Sequence, residues 1–237
     1  MITKTEAKYI QTLYHKKNRE QEQLFIVEGE KMVAELLQTQ WPIEKLYCIE
    51  NFSNAHHPKA TLISEADLQR ISGLTTPNKA LAIAAMPQHK AIRTNGLILA
   101  LDGIQDPGNL GTIIRTADWF GIETIVCSVD TADCFNPKVV QATMGSIFRV
   151  AVHYQPLDAF FETYTAPVFI ADLHGEPLKN TAPTKQACIV LGSEGKGVRL
   201  QLPQQSQTIG VHIPRKGQAE SLNVGIAAGI LMAHFCQ

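Results

Sequence analysis

The 237-residue chain lacks any cysteine arrangement that could staple it or hold a metal. Its five cysteines, Cys48, Cys127, Cys134, Cys188 and Cys236, are odd in number and widely spaced, with no CxxC pair. That spacing argues against a disulfide framework and a zinc site and fits reduced, buried thiols. The chain also lacks an excess of either charge: 21 Lys and Arg face 22 Asp and Glu, for a net charge of -1 and a pI near 6.7. A strongly basic chain would be the electrostatic footprint of a phosphate-rich partner, so any nucleic-acid surface here must be a local patch. There is no long hydrophobic run. The longest, around residues 222–235, is broken by Asn223 and Gly225 and falls short of the ~20 residues that span a bilayer. The start, Met1-Ile2-Thr3-Lys4, is polar and has no signal-peptide hydrophobic region. A soluble, cytoplasmic protein without a metal is expected.

What is present can build a core. Hydrophobic residues make up 45% and charged residues 18%, which argues against wholesale disorder. The length is comfortable for two domains. In the first half a basic segment, Tyr14-His15-Lys16-Lys17-Asn18-Arg19, precedes a β-type run at 24–27 and a helical pattern at 30–37. A strand is expected at 43–49, a helix at 64–71 capped by Ser64, and a closing strand at 81–85. Polar turn segments, Pro87-Gln88-His89-Lys90 and Arg93-Thr94-Asn95-Gly96, place a domain boundary there, giving domains 1–92 and 93–237.

The second half carries short apolar runs at 97–101, 124–127, 148–152, 168–171, 189–191 and 209–213. Such runs, bounded by turn signals, read as buried strands of a mostly parallel sheet, so the fold class is α/β. Asn136-Pro137 is a helix start, with Asn as cap and Pro at the first helical position. Residues 219–235 read as a final helix, apolar on nearly every face and therefore buried.

Ligands of parallel sheets bind at the carboxyl ends of the strands. Three loops with unusual composition fall there. The first runs from Asp102 through Gly103, Pro107, Gly108, Asn109 and Gly111 to Arg115; Asn109 is expected at the helix cap and Arg115 about one and a half turns in. The second is Leu191-Gly192-Ser193-Glu194-Gly195-Lys196-Gly197, whose glycines let backbone amides approach a ligand. It is not a dinucleotide fingerprint, a phosphate-binding P-loop or a GxSxG elbow. The third, from Ile213-Pro214 through Gly217 to Ser221-Leu222-Asn223-Val224, puts Ser221 and Asn223 in the first turns of the apolar final helix. Each needs a polar partner there, because burying an unpaired polar group costs ~1–3 kcal/mol. Taken singly, the loops are equally open to plain capping and turn roles.

Together and in this order they resemble the SpoU (TrmH-like) family of RNA ribose 2'-O-methyltransferases of the SPOUT superfamily. The matching positions are Asn109-x-Gly111-x-x-x-Arg115-Thr116-Ala117, Leu191-Gly192-x-Glu194-Gly195-x-Gly197 and Ile213-Pro214-x-x-Gly217-x-x-x-Ser221-Leu222-Asn223-Val224. Pro137-Lys138 and Met144-Gly145-Ser146 also look like family positions. Arg215 departs from the methionine that many relatives carry. In the first half, Phe25-Ile26-Val27-Glu28-Gly29 with Val33 and Leu36-Leu37 resembles the family's L30e-like substrate-binding domain.

The resemblance implies a C-terminal trefoil knot (SPOUT-like), a homodimer and S-adenosylmethionine as methyl donor. It implies donor contacts at Leu191, Gly192, Gly197, Ile213, Leu222 and Ala171, and a catalytic set of Arg115, Asn109, Glu194, Ser221 and Asn223. The substrate it implies is RNA. The separate first domain favours large-subunit ribosomal RNA over transfer RNA, with a catalytically silent RNA-binding protein as the alternative. Lys16, Lys17 and Arg19, the compact basic cluster of the first half, are the candidate RNA contacts. The family places arginine at the reacting hydroxyl. Arginine side chains stay protonated in proteins, so Arg115 fits electrostatic activation and a phosphate grip better than proton removal. Glu194 or a water is then the candidate proton acceptor.

Overall fold

The structure, a computed structural model, describes residues 2–88, 91–201 and 207–237. It falls into two compact units, Met1–Gln88 with Asp133–Phe148, and His89–Ala132 with Arg149–Gln237. His89 and Lys90 of the expected linker lie outside the described residues.

The first unit opens with α1 (Lys4–Thr12), capped by the Thr3 hydroxyl, which accepts from the Glu6 amide. Next come α2 (Lys16–Glu22), β1 (Leu24–Glu28), α3 (Glu30–Leu37), β2 (Ile43–Cys48), β3 (Ala60–Leu62), α4 (Glu65–Ile71) and β4 (Ala80–Ala85). The strands form one mixed sheet in the order β1-β4-β2-β3. β4 runs antiparallel to both β1 and β2, so it is a central strand; the closing position expected for it belongs to its order in the chain. Ser64 caps α4 as its sequence predicts, accepting from the Asp67 amide. Strand residues alternate faces. Ile26, Leu81 and Ile83 join Ile10, Leu13, Leu68 and Ile71 in one cluster, while Phe25 packs its ring against Trp41 and Phe135.

The second unit contains β5 (Leu97–Asp102), α5 (Pro107–Trp119), β6 (Thr124–Cys127), β7 (Ala151–Tyr154), α7 (Leu157–Thr163), β8 (Val168–Pro177), β9 (Ala187–Gly192), β10 (Thr208–His212) and α8 (Val224–Phe235). Its sheet has the order β10-β8-β9-β5-β6-β7, and every pairing between neighbours is parallel. β6 is buried throughout, as are β5 and β9 except for Leu97 and Gly192 at one end of each, as helices on both faces require. On one face Ile98, Ala100, Val126 and Val190 pack against Phe160 and Phe161 of α7. On the other, Phe169 stacks on Phe235 of α8 with ring centroids 4.4 Å apart. Because the strands are parallel, the loops after β5, β9 and β10 leave from the same edge.

Several elements depart from the sequence reading. Helix α6 (Pro137–Thr143), capped by Asn136 as expected, belongs to the first unit although it lies beyond the linker in the chain. Phe135 against Phe25 (4.7 Å) and Phe148 against Trp41 (5.4 Å) hold that segment there. The run at 148–152 divides into a 3-10 turn at Ser146–Phe148 and β7, which starts at Ala151. The final helix starts at Val224 rather than at 219, because Asn223 caps it: its Oδ1 accepts from the Gly225 and Ile226 amides. Nor is that helix buried all round. Val224, Ala228, Leu231, Met232 and Phe235 face the core, whereas Ile226 is 57% and Ile230 37% exposed.

Candidate functional site

The turn after β9 is built on glycine. Ser193 and Gly197 pair across it, the Gly197 amide donating to the Ser193 carbonyl at 2.9 Å. A Cβ on Gly192 would lie 2.0 Å from the Gly197 carbonyl carbon, so only glycine allows the two backbones to meet. The turn opens onto a cavity of about 420 Å3, within the usual size of small-molecule sites. All six positions expected to hold a cofactor line it: Ala171, Leu191, Gly192, Gly197, Ile213 and Leu222. Its walls are largely apolar, and Asp172, Glu194, Arg215, Lys216, Glu220 and Ser221 are among its polar and charged lining residues.

Beside this cavity, three amide and carboxylate side chains converge from three loops. The cap of α5 is Asp106, whose Oδ1 accepts from the Asn109 amide at 2.8 Å. Asn109 therefore sits in the first turn and not at the cap, which frees its side chain to reach across. Its Nδ2 donates to Glu194 Oε1 at 3.3 Å, and its Oδ1 accepts from Asn223 Nδ2 at 2.8 Å. Glu194 Oε1 accepts also from Asn223 Nδ2 (3.1 Å) and from the Val224 amide (3.3 Å). Asn223 thus caps α8 with its oxygen and ties the first and second loops together with its nitrogen. A second cavity, of about 280 Å3, adjoins the first through Ser193, Glu194 and Val224 and is bordered by Gln105, Asp106, Asn109, Lys196 and Arg199.

Not every expected residue joins this cluster. Ser221 is exposed in the loop before α8 and borders the larger cavity without a cap role. Arg115 is exposed and makes no hydrogen bond or ion pair with a described residue. Six residues along a helix place it about one-third of a turn around the axis from Asn109. It borders neither cavity.

The sequence reading missed an ionic cluster beside the second cavity. Arg199 pairs with Asp102, which ends β5 and is 4% exposed, and with Asp130 after β6. The hydrogen bonds from Arg199 and Ser128 hold the Asp130 carboxyl well below the usual carboxylate range. A carboxylate closing an otherwise apolar buried strand was the available signal at Asp102.

In the first unit, Lys16 and Lys17 are exposed on α2. Arg19, grouped with them on sequence spacing, is not available to a partner: it is 1% exposed. Its guanidinium donates to the carbonyls of Leu13 and Tyr14 and pairs with Asp133 at 2.5 Å. Helical spacing does not separate Arg19 from Lys16, three residues earlier on the same side of α2; the Leu13 and Tyr14 carbonyls and the Asp133 carboxylate draw its guanidinium inward while the two lysines stay exposed. Among the described residues no group of three or more His, Cys, Asp or Glu side chains could hold a metal ion, and no helix is long and apolar enough to cross a membrane.

Comparison with known proteins supplies the family. Residues 96–233 match the SpoU rRNA Methylase family, and residues 4–82 match the MRM3-like substrate binding domain. The 23S rRNA (guanosine(2553)-2'-O)-methyltransferase RlmP of Bacillus subtilis is 32% identical over 233 residues, 94% of this chain and 92% of that protein. A solved structure assigned to the TrmH family of RNA methyltransferases, from Porphyromonas gingivalis, superposes with a TM-score of 0.89 at 37% identity, covering 99% of this chain and 98% of that one. The AdoMet-bound rRNA methyltransferase of Sinorhizobium meliloti does so at 0.86 and 27% identity, covering 99% and 96%. With three converging loops at one sheet edge and a family match over more than half its length, the chain belongs to the SpoU rRNA methylase family.

Proposed function

We propose that the protein transfers the methyl group of S-adenosylmethionine to a ribose 2'-hydroxyl in large-subunit ribosomal RNA. One observation carries this reading: the glycine-walled cavity at the carboxyl ends of β9 and β10, beside the middle of β8, opens directly onto the Asn109–Glu194–Asn223 cluster. The cavity suits the donor chemically. Leu191, Ile213 and Leu222 offer apolar contact to a purine, glycine backbone offers hydrogen bonds to its edge, and Asp172, Glu194 and Glu220 offer negative charge to an ammonium and a sulfonium. The donor supplies an electrophilic methyl group, and direct displacement by an oxygen needs no metal.

The protein's own part is alignment and charge. Fixing two reactants in line is worth up to ~7–11 kcal/mol. Asn109, Glu194 and Asn223 fix the rim that the two cavities share, so an acceptor in the smaller cavity would face the larger one. Glu194 Oε1 is occupied by three donors, which leaves Oε2 as the carboxylate oxygen able to take a proton. Arg115 carries the free positive charge that stabilises the developing alkoxide and grips a phosphate.

Arg115 lies outside the cluster of its own chain, and this is consistent with a homodimer through the C-terminal domain, in which a second copy completes the site. The exposed Trp119 of α5 and Ile226 and Ile230 of α8 supply apolar surface for that contact. The trefoil knot belongs to the same reading. β10 lies beyond β8 while β9 lies inside it, and backbones meet without room for a Cβ at Gly192 with Gly197 and at Gly175 with Gly210. Residues 1–92 serve as the RNA-binding domain and residues 93–237 as the methyltransferase domain. Ribosomal RNA as substrate implies work in the cytoplasm.

Transfer of labelled methyl from S-adenosylmethionine to 23S ribosomal RNA, followed by mapping of the modified ribose, tests the reading. Methylation of transfer RNA alone would change the substrate, and absence of donor binding at millimolar concentration in calorimetry would overturn the activity.

A further inference from the structure

The Asp102–Arg199–Asp130 cluster joins three separate loops. Arg199 follows the turn that carries Glu194 by five residues. Its backbone amide donates to Asp102 Oδ2 at 2.6 Å, and its Nε donates to Asp102 Oδ1 at 3.1 Å. Its two terminal nitrogens donate to the Asp130 carboxylate at 2.8 and 3.0 Å, and one of them also bonds Asp102. Both carboxylates are anchored in turn. Asp102 is the last residue of the buried strand β5, and Asp130 accepts from the Ser128 hydroxyl at 2.6 Å. Ser128 Oγ in turn accepts from the Gly103 amide at 2.9 Å. Gly103 sits at φ +72°, and a Cβ there would lie 2.8 Å from the Arg199 guanidinium, so the loop after β5 is shaped around that side chain.

We propose that Arg199 is a positioning residue. It clamps the chain after the 193–197 turn onto the ends of β5 and β6 and thereby holds Glu194 against Asn109 and Asn223. A planar, five-donor guanidinium can satisfy two carboxylates and still orient the backbone that bears it; an ammonium cannot satisfy the same fork. Besides the three bonds that Glu194 Oε1 accepts and the packing of Val198 and Leu200 on the core, the turn has few anchors of its own. Gly195, Lys196 and Gly197 are exposed, and the turn's own bonds are Gly197 to Ser193 and Lys196 to Ser193 Oγ. Without the clamp, Glu194 keeps its chemistry and loses its location. Misplacement by about 1 Å can cost ~100-fold in turnover.

The kinetic arm of the test rests on the methyl-transfer reading; the exchange arm does not. In full-length protein, Arg199→Met is expected to speed amide hydrogen exchange at residues 193–199 by ~10-fold or more while the first unit's sheet is unchanged. It is expected to lower kcat ~10–100-fold with the donor KM nearly constant. If Arg199 acts through Glu194, the same substitution in a Glu194→Gln background has little further effect on kcat, because the two act as a unit. Arg199→Lys, which reaches one carboxylate, falls between, and it is read in the same cycle should the methionine variant fold poorly. Unchanged exchange at 193–199, or an equal loss of kcat in both backgrounds, overturns the proposal. A wild-type protein that leaves ribosomal RNA unmethylated would overturn the activity, and the exchange arm alone would then decide the clamp.

Discussion

The two units use their polar side chains in opposite ways. In the first, the buried ones are consumed by the fold. Glu28, 6% exposed, accepts from the Tyr14 hydroxyl at 2.8 Å, from the Ser72 hydroxyl and from the Gly73 amide. Burial, and then Glu28, push the Tyr14 hydroxyl far above its ordinary value. Arg19 is enclosed with Asp133. In the second unit, Asn109, Glu194, Asn223 and Arg115 gather at or near the exposed edge of a sheet whose interior is almost wholly apolar. Buried and mutually satisfied groups hold architecture; exposed groups brought together from distant loops are available to a ligand. Substitutions in the first set should therefore show up in stability, and those in the second in activity.

The largest expected effect lies in the first unit. Arg19→Met removes one partner of a buried pair and leaves Asp133, whose side chain is 15% exposed, without its counter-charge and with the Phe135 amide as a remaining donor; two carbonyls lose their donor as well. Such losses run to ~3–5 kcal/mol. Arg19 Nε has no partner among the described residues, which favours the lower end of that range. Chemical denaturation reads the shift. A loss below ~1 kcal/mol, or a fall in turnover per folded molecule, would break the contrast between the units.

Next is Arg115. Arg115→Ala is expected to lower turnover on the order of 10²–10³-fold, the size seen when one donor to a developing oxyanion is removed. Donor affinity and stability should barely move, since the side chain is exposed and unpaired among the described residues. Arg115→Lys separates charge from fork geometry: partial rescue indicates electrostatics and no rescue indicates bidentate contact. If Arg115 assists ionisation of the hydroxyl, the alanine variant regains activity as pH rises, because the hydroxyl then ionises unaided. A flat profile removes that role.

Asn223→Ala probes a residue of the exposed set that also caps a helix. Loss of the cap of α8 costs ~0.5–2 kcal/mol. Loss of the bonds to Asn109 and Glu194 lowers turnover as well. Asn223→Ser retains a capping oxygen and lacks the amide nitrogen, so it should restore stability and leave activity low. Full recovery of both would make Asn223 a cap and nothing more.

How much of this could be read from the residues differs between fold and site. The buried parallel strands were legible because runs such as 97–101 and 124–127 have no amphipathic alternation, and Asn136-Pro137 and Ser64 announce helix starts through local chemistry. The position of the segment 133–148 was not legible. Its place depends on Phe135 and Phe148 meeting aromatic rings more than a hundred residues away in sequence. Five of the six cavity positions, all but Ala171, followed from family motifs, whereas Arg199 did not, since its meaning lies in carboxylates at 102 and 130 that only the sheet order brings near. Asn109 and Asn223 exchanged their expected local roles for a similar reason: Asp106 takes the cap of α5, and Asn223 takes that of α8. Arg19 failed because the carboxylate that draws it inward, Asp133, lies more than a hundred residues away in sequence.

The smallest effect concerns the two lysines that the burial of Arg19 leaves outward on α2. Lys16 lies 3.6 Å from Glu20, an exposed i,i+4 pair, so part of its charge is already answered, while Lys17 forms no such pair among the described residues. If the first unit meets RNA on this face, each lysine that neutralises a phosphate adds ~0.7 to the salt slope of binding to single strands. Replacing both with alanine should lower that slope by ~0.7–1.4, the smaller figure applying if Glu20 keeps Lys16 engaged. Lys17→Ala alone should then account for most of the change, and Glu20→Gln should steepen the slope of the wild type by freeing Lys16. Stability should stay within ~0.5 kcal/mol, as for other exposed substitutions. An unchanged slope in the double variant would move the RNA-binding face off α2. It would also leave α2 with the structural role that Arg19 already gives it, and the first unit would then show no exposed polar group placed for a partner on this helix.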